Sequence, residues 1–295
     1  MRFRSVKSQA EHAVSNKVAL GTGRHDHRDD GKIHSVGTAR GYQQALKGFA
    51  NYIQKNRFGS LGDATRETAI RYLAERAEAV SQKTLDLDRQ AIQMHLGERL
   101  DVVKSARVTI LSTRSYTPAQ VQRIAASQSE RNSLATKIAY SAGLRAHELL
   151  TIRREEERAP SSHREWSTRR FLGRDGVRYT VEGKGGLIRE VLLDKALAVE
   201  LESKRLAVPN QIVDRVVRYS QFYNIGGGRT WSQSFSAAST RALGFSNGAH
   251  GLRHSYAQER MDELQRGGMP YDKAKAITAQ EVGHFEKKTT EAYLR

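Results

Sequence analysis

The sequence predicts a mainly α-helical protein with a small antiparallel β-sheet or hairpin, organised as two domains. Three observations predict it. Apolar residues recur at helical spacing over most of the chain. Strict alternation is confined to two short runs around a glycine-rich turn. An aperiodic stretch in the first half is followed by a fresh helix-start signature.

Each element follows from local pattern. Residues 1–36 are polar and basic, ending in Gly23-Arg24-His25-Asp26-His27-Arg28-Asp29-Asp30-Gly31, and read as a flexible basic arm. From Thr38 the pattern turns helical, with Tyr42, Leu46, Phe49 and Ile53 on one stripe. A second helix carries Ile70, Leu73, Ala77 and Val80. A third carries Leu85, Ile92 and Leu96 behind Ser81 as a cap. Residues 37–100 therefore form a small helical module with many exposed cations. Residues 101–116 show no period and read as a linker. The second domain, 117–295, opens with Thr117 as cap, Pro118 at the first helical position and Gln120 three residues after the cap. Leu134, Ile138 and Ala142 form the stripe of the next helix, which Gly143 interrupts. Val177, Tyr179 and Val181 alternate with Arg178, Thr180 and Glu182 as a strand. Gly183-Lys184-Gly185-Gly186 makes the turn, and Ile188 to Leu193 returns as its partner. The remainder reads as mostly helical, with Gly226-Gly227-Gly228 marking a loop. No internal repeat is visible.

Composition narrows the function. The chain has 295 residues, enough for two domains with proper cores, and its 38% hydrophobic content is that of a globular protein. Its 49 Lys and Arg against 32 Asp and Glu give a formal net charge of +17, which favours a polyanionic partner. No apolar stretch is long enough to span a bilayer, and no apolar signal core follows the basic start. With no cysteine in the chain, cysteine-based metal or nucleophile chemistry is excluded, and a reducing, cytoplasmic or nucleoid location is expected.

Six residues then stand out: Arg145, Lys184, His250, Arg253, His284 and Tyr293. Cleaving a phosphodiester puts extra negative charge on its non-bridging oxygens, and planar guanidinium forks match those oxygens. Arg145 and Arg253 are the candidates for that role. Glu148, three residues after Arg145, falls on the same helical face and would orient the guanidinium; the ordinary alternative is a surface ion pair. His250-Gly251-Leu252-Arg253-His254 puts an imidazole and a guanidinium three apart on one face; taken alone this is also what a basic helix touching a polyanion looks like. Lys184 at a hairpin tip can reach into a site and protonate a leaving oxygen, or be a solvated turn lysine. The phosphate-loop motif is absent, since no Gly-Lys-Ser/Thr follows an earlier glycine at the required spacing. Tyr293 is either a packing residue or a nucleophile, and a phenol attacks well only when cations or a base favour its anion.

Taken together, the order and local contexts resemble the tyrosine recombinases, the phage integrase family. That family shows Gly-Leu-Arg-x-x-Glu-Leu, a Gly-Lys-Gly hairpin, His-x-Leu-Arg-His, Leu-Gly-His and a tyrosine shortly after. Here these read Gly143 to Leu149, Gly183 to Gly185, His250 to His254, Val282-Gly283-His284, and Tyr293. The resemblance covers roughly residues 117–295; residues 37–100 match only the shape of the family's helical core-binding domain. It implies a two-domain architecture, a helical core-binding domain followed by an α+β catalytic domain. It also implies a site-specific DNA recombinase, the integrase of a mobile element. Tyr293 would attack the scissile phosphate to give a 3′-phosphotyrosyl link, Lys184 would act as general acid and His250 would assist proton transfer. Arg145, Arg253 and His284 would stabilise the transition state, with Glu148 supporting. No metal and no nucleotide cofactor is implied. The implied partners are double-stranded DNA, three further copies of the chain in a tetramer on DNA, and accessory DNA-bending proteins. The departures are Val282 in place of Leu, an unusually polar stretch from Glu155 to Arg174, and only Leu294 and Arg295 after Tyr293, where relatives carry a helix that docks on a neighbouring protomer.

Two other functions share these features: a DNA-relaxing enzyme of the type IB topoisomerase kind, and a silent DNA-binding protein on the same fold. The intact set of six argues against the silent binder, because binding needs no nucleophile. The small size and short helical module favour the recombinase over the relaxing enzyme. His25-Asp26-His27 with Asp29 and Asp30 suggests a metal site less well than it suggests a solvated tail.

Overall fold

The structure, a computed structural model, describes residues 5–20, 30–108, 113–285 and 290–294, and the main chain but not the side chain of Lys184. The chain divides into two compact units, Met1–Leu111 and Ser112–Arg295.

The first unit is helical: α1 (Val6–Ser15), α2 (Val36–Lys55), α3 (Arg66–Ala79) and α4 (Gln82–Leu96). Its core is built on the expected stripes, with Leu46, Phe49 and Ile53 of α2 against Leu73 and Ala77 of α3 and Leu85 and Ile92 of α4. The Phe49 and Tyr72 rings lie 5.2 Å apart within it. Two expectations are corrected. The polar stretch read as an arm contains α1, because Val6, Ala10 and Val14 recur every four residues; Ala10 and Val14 are buried in the unit's core. Ile33 follows them in, its N–H bonded to the Lys17 carbonyl at 2.7 Å. Ile70 is 43% exposed, and Ala69 takes the inward position on α3. His25, Asp26, His27 and Asp29 lie outside the described residues; Asp30 pairs with His34 at 3.0 Å.

The described residues of the stretch read as a linker form no helix, and they are tied down at both ends. Ser105 Oγ donates to the Val80 carbonyl at 2.6 Å and Ala106 N–H to Ala77 at 3.0 Å, both in the first unit. Tyr116 is buried in the second, its N–H bonded to Ser255 Oγ at 2.7 Å.

The second unit opens with α5 (Pro118–Ala126), whose Thr117–Gln120 capping box forms as the sequence predicts, and α6 (Glu130–Ser141). A three-stranded antiparallel sheet follows in the order β1 (Arg153–Arg154), β2 (Val177–Glu182), β3 (Ile188–Leu193). Then come α7 (Lys195–Glu202), β4 (Arg205–Asp214), β5 (Val217–Tyr223), α8 (Gly228–Leu243), α9 (Gly251–Arg266) and α10 (Tyr271–Glu281). Leu134 and Ile138 of α6, Tyr179 and Val181 of β2, Val191 and Leu193 of β3, and Trp231 and Phe235 of α8 share one core. The β4–β5 hairpin departs from the helical reading of this region. Its two-residue turn is Arg215-Val216, with no glycine or asparagine to announce it, so the usual hairpin signal is missing. Among the described residues no helix is long and apolar enough to cross a membrane.

Candidate active site

Four chain breaks place the candidate residues. α6 stops because Gly143 adopts φ +60°, and a Cβ there would stand 2.8 Å from the Tyr256 ring, so both conformation and space demand glycine. The chain then turns through Arg145 into a short 3-10 segment, Glu148–Leu150, rather than the expected α-helix. The i,i+3 relation survives, because the turn leading into that segment closes with the Glu148 N–H on the Arg145 carbonyl at 3.0 Å. Arg145 accordingly donates to Glu148 twice, from its main-chain N–H at 2.8 Å and from Nη1 at 2.7 Å.

Glu148 is the centre of a cation cage. It is fully buried, and its Oε2 also accepts from Arg189 Nη2 at 2.8 Å, with Arg253 Nη1 at 3.8 Å. Burial alone pushes its carboxyl up; Arg189, Arg145 and Arg253 more than reverse this and hold it well below the usual carboxylate range. The β2–β3 turn borders the same spot: a Cβ on Gly183 would lie 3.2 Å from Glu148 Oε1 and 3.7 Å from Arg145 Nη1. Lys184 is the next residue, in a 3-10 turn Lys184–Gly186; its side chain lies outside what the structure describes.

α9 supplies a ladder. His250 is its N-cap residue, and Arg253 follows one turn on, wholly buried, with Nη1 bonded to the Gly143 carbonyl at 2.7 Å and Nη2 to that of Val282. Both terminal nitrogens of Arg253 therefore hold main chain, whereas the Arg145 side chain keeps 20% exposure and is the fork that reaches solvent. α10 ends at Glu281, and two residues on Gly283 takes φ +68°, where a Cβ would meet Arg189 Cδ at 2.9 Å. Next to it His284 Nε2 stands 2.8 Å from Arg145 Nη2. Arginine only donates, so Nε2 is the acceptor and neutral His284 carries its proton on Nδ1.

Tyr293 sits in the middle of these groups. It is 7% exposed, and its hydroxyl lies 3.2 Å from His250 Nε2. Its ring centroid is 5.5 Å from that of His250, 4.7 Å from His254 and 5.4 Å from His284, and Arg253 Cζ lies 5.5 Å from it. Burial, then the Arg253 charge, push His284 down to about 3 and His250 to about 4. Burial with Arg114 and Arg253 brings His254 to about 4. All three imidazoles are neutral at pH 7. Burial and the neighbouring Arg145 lower even Arg253, to about 9. Such a dense positive field with a neutral base beside a phenol favours an anion at its centre.

No family model and no curated protein matches the sequence. Solved structures do. The XerH site-specific recombinase bound to palindromic difH substrate, a post-cleavage complex, matches with TM-score 0.56 at 16% identity, over 98% of this chain and 90% of that one. A lambda integrase dimer bound to a COC' core site matches with TM-score 0.56 at 15% identity, over 92% of this chain and 75% of that one. A lambda integrase tetramer bound to a Holliday junction matches with TM-score 0.55 at 15% identity, over 97% and 80%. The fold is that of the tyrosine recombinases.

Within this tyrosine recombinase fold, five of the six sequence-selected residues, and Glu148, converge on one locus. Sequence reading missed Arg189 and Gln258, which organise it, and gave no role to His254, which it met only as the end of the His250–His254 motif. Arg189 is a cation at a core-facing register position, opposite Val181 and in line with Val191 and Leu193, which was the signal for it. It is 1% exposed and bridges Glu148 to the Glu281 carbonyl, to which Nη1 donates at 2.7 Å. His254 and Gln258 follow His250 at successive four-residue steps on α9. The His254 ring packs against that of Tyr293 at a 49° tilt, and Gln258 Nε2 donates to the Tyr293 carbonyl at 3.0 Å. A second buried network, Arg260 Nε to Glu281 at 2.9 and 3.1 Å with Tyr256 OH at 2.8 Å, fixes α9 to α10 behind the site.

Proposed function

We propose that this chain is a site-specific DNA recombinase, the integrase of a mobile element, that cuts and rejoins DNA through a 3′-phosphotyrosyl intermediate. The observation that carries the reading is the Tyr293 hydroxyl 3.2 Å from a neutral His250 inside a cage of arginines. In the first step the Tyr293 oxygen attacks the scissile phosphorus while His250 Nε2 takes the phenolic proton. The P–O bond to the 5′-oxygen breaks, and Lys184 donates the proton that leaves a 5′-hydroxyl. A 5′-hydroxyl from a second strand then attacks the phosphorus, giving its proton to Lys184, while the bond to the Tyr293 oxygen breaks and His250 returns the phenolic proton. One phosphoester is exchanged for another, so the reaction draws on no cofactor. Arg145 clamps the non-bridging oxygens, exchanging its bond to His284 for one to phosphate, and His284 donates its own hydrogen bond after reorienting. Arg253 acts from behind the Tyr293 ring, where its charge favours phenolate. Glu148 keeps these guanidiniums apart and aimed.

Duplex DNA as partner is supported by the net charge of +17 and by the DNA complexes among the structural neighbours. Assembly of four protomers across two duplexes, assisted by DNA-bending proteins, is the arrangement that strand exchange between two sites requires; a tetramer on a Holliday junction is what the lambda integrase structure contains. Residues 37–100 serve as the core-binding domain, 101–116 as the linker and 117–295 as the catalytic domain. The enzyme works in the cytoplasm, on the nucleoid.

The test is a covalent-trapping gel. The protein is incubated with nicked duplexes tiled across its own gene and flanks, and denatured complexes are resolved beside Tyr293→Phe. A shifted band with the wild type and none with the variant is the expected result. Supercoiled DNA lacking the trapped site provides the counter-test: relaxation there, with no joined products, assigns a relaxing enzyme instead.

A further inference from the structure

The β4–β5 hairpin has no part in the chemistry above, yet its turn is built at a conformational cost. Arg215 and Val216 adopt φ +50° and +67°, a left-handed pair that Asn-Gly would adopt freely and that a β-branched valine resists. The chain thereby presents Val216, 72% exposed, at the end of a strand that also shows Val213, 66% exposed. Arg215 and Arg218 flank the valine on the surface. The one carboxylate at the tip, Asp214, is engaged: its Oδ1 accepts the Arg229 N–H at 2.8 Å, and Arg215 Nε lies 3.8 Å from Oδ2.

That bond fixes where the tip points. Arg229 lies in the first turn of α8, and the neighbouring Gly228 N–H donates to the Ala146 carbonyl at 2.7 Å, between Arg145 and His147. The hairpin tip is thus pinned, through two hydrogen bonds, to the loop that carries the solvent-reaching Arg145. Burial lowers His147, and Arg215 is among the charges that lower it further, which places that guanidinium in electrostatic range of the same loop.

We infer that the Arg215-Val216 tip is a DNA-contacting wedge, entering the duplex groove beside the scissile phosphate. Val216 packs against sugar and base edges, while Arg215 and Arg218 hold the adjoining phosphates. The charge at the tip is complementary to that occupant: the exposed guanidiniums of Arg215 and Arg218 lie beside exposed Arg229, and the tip carboxylate Asp214 is already engaged by the Arg229 N–H and by Arg215. Apolar wedges flanked by arginine are a known way to hold and bend a duplex groove. The inference rests on the strand-transfer reading for its DNA substrate and adds to it a contact that shapes the DNA next to the cut.

The chain contains no cysteine, so single-cysteine probes are unambiguous. Val216→Cys is coupled to an iron chelate that cleaves nearby DNA, with Val199→Cys, at an equally exposed position on α7, as control. Both are bound to the nicked duplex used for trapping. Cuts from position 216 confined to one helical turn around the linked phosphate, absent from position 199, are the expected result. Arg215→Ala should lower the slope of log affinity against log salt by about 1. A normal covalent adduct with no cuts specific to position 216 overturns the wedge and leaves the recombinase reading standing. Cuts specific to position 216 without any adduct keep the wedge and overturn the strand-transfer reading. Disulfide-linked pairs through Val216→Cys in the absence of DNA, abolished by nothing but reductant, make the occupant a second copy of the chain and overturn the wedge.

Discussion

Removing the Glu148 carboxylate would leave three guanidiniums facing one another in a buried space. Glu148→Gln keeps the shape and removes the charge, so its effect isolates electrostatics. Breaking a buried pair by deleting one partner typically costs about 3–5 kcal/mol, and urea unfolding should show a loss of that order. A loss below about 0.5 kcal/mol, the usual range for surface substitutions, would mean that the cage does not hold the site together. The imidazoles give a second residue-scale prediction. His250 and His254 are pushed down to about 4 and His284 to about 3. In the unfolded chain they take up protons near pH 6.5, and in the folded chain they resist until about pH 4. The folded state therefore loses stability as pH falls through that window and gains none from them above it. An NMR titration should show these three imidazoles still neutral at pH 5.5; their protonation by that pH would contradict the burial described. At this scale the motif residues were legible because their spacing survives in sequence. Arg189 was not, because its partner Glu148 is 41 residues away, and only the strand register brings them together.

At the scale of elements, legibility followed the strength of the local signal. Thr117-Pro118-Ala119-Gln120 states a helix start in four residues, and α5 begins there. Tyr179 and Val181 alternate cleanly, and β2 buries both. α1 was hidden because its apolar stripe is one alanine and two valines in a polar segment, and β4–β5 because Arg-Val occupies a turn that usually advertises itself with glycine. The turn after α6 gives the element-scale prediction. Gly143→Ala forces a left-handed alanine whose Cβ meets the Tyr256 ring at 2.8 Å. Strain of this kind costs roughly 1–3 kcal/mol, and here it displaces Arg145 as well. Thermal unfolding should register the loss, and covalent trapping should fall more than stability alone explains. An alanine variant with unchanged melting temperature and trapping would show that the turn does not set the arginine.

For the whole molecule, the surplus of 49 basic over 32 acidic residues predicts that the proposed DNA binding is strongly salt-dependent. A protein neutralising six to ten phosphates loses about 10³–10⁵ in affinity between low and moderate salt, and a filter-binding series should fall on that steep line. A nearly flat line would mean that the surplus is only solvated surface. The charge surplus favours a polyanionic partner, and the clustered site is what the proposed attack of a phenol on a phosphodiester would use. The most direct measurement is of the bond itself. The trapped adduct is digested with nuclease and trypsin, and the peptide ending at Arg295 is analysed by mass spectrometry. A nucleotide joined through its 3′-phosphate to Tyr293 is the result this account predicts. A nucleotide on another residue, or a link through the 5′-phosphate, would contradict it.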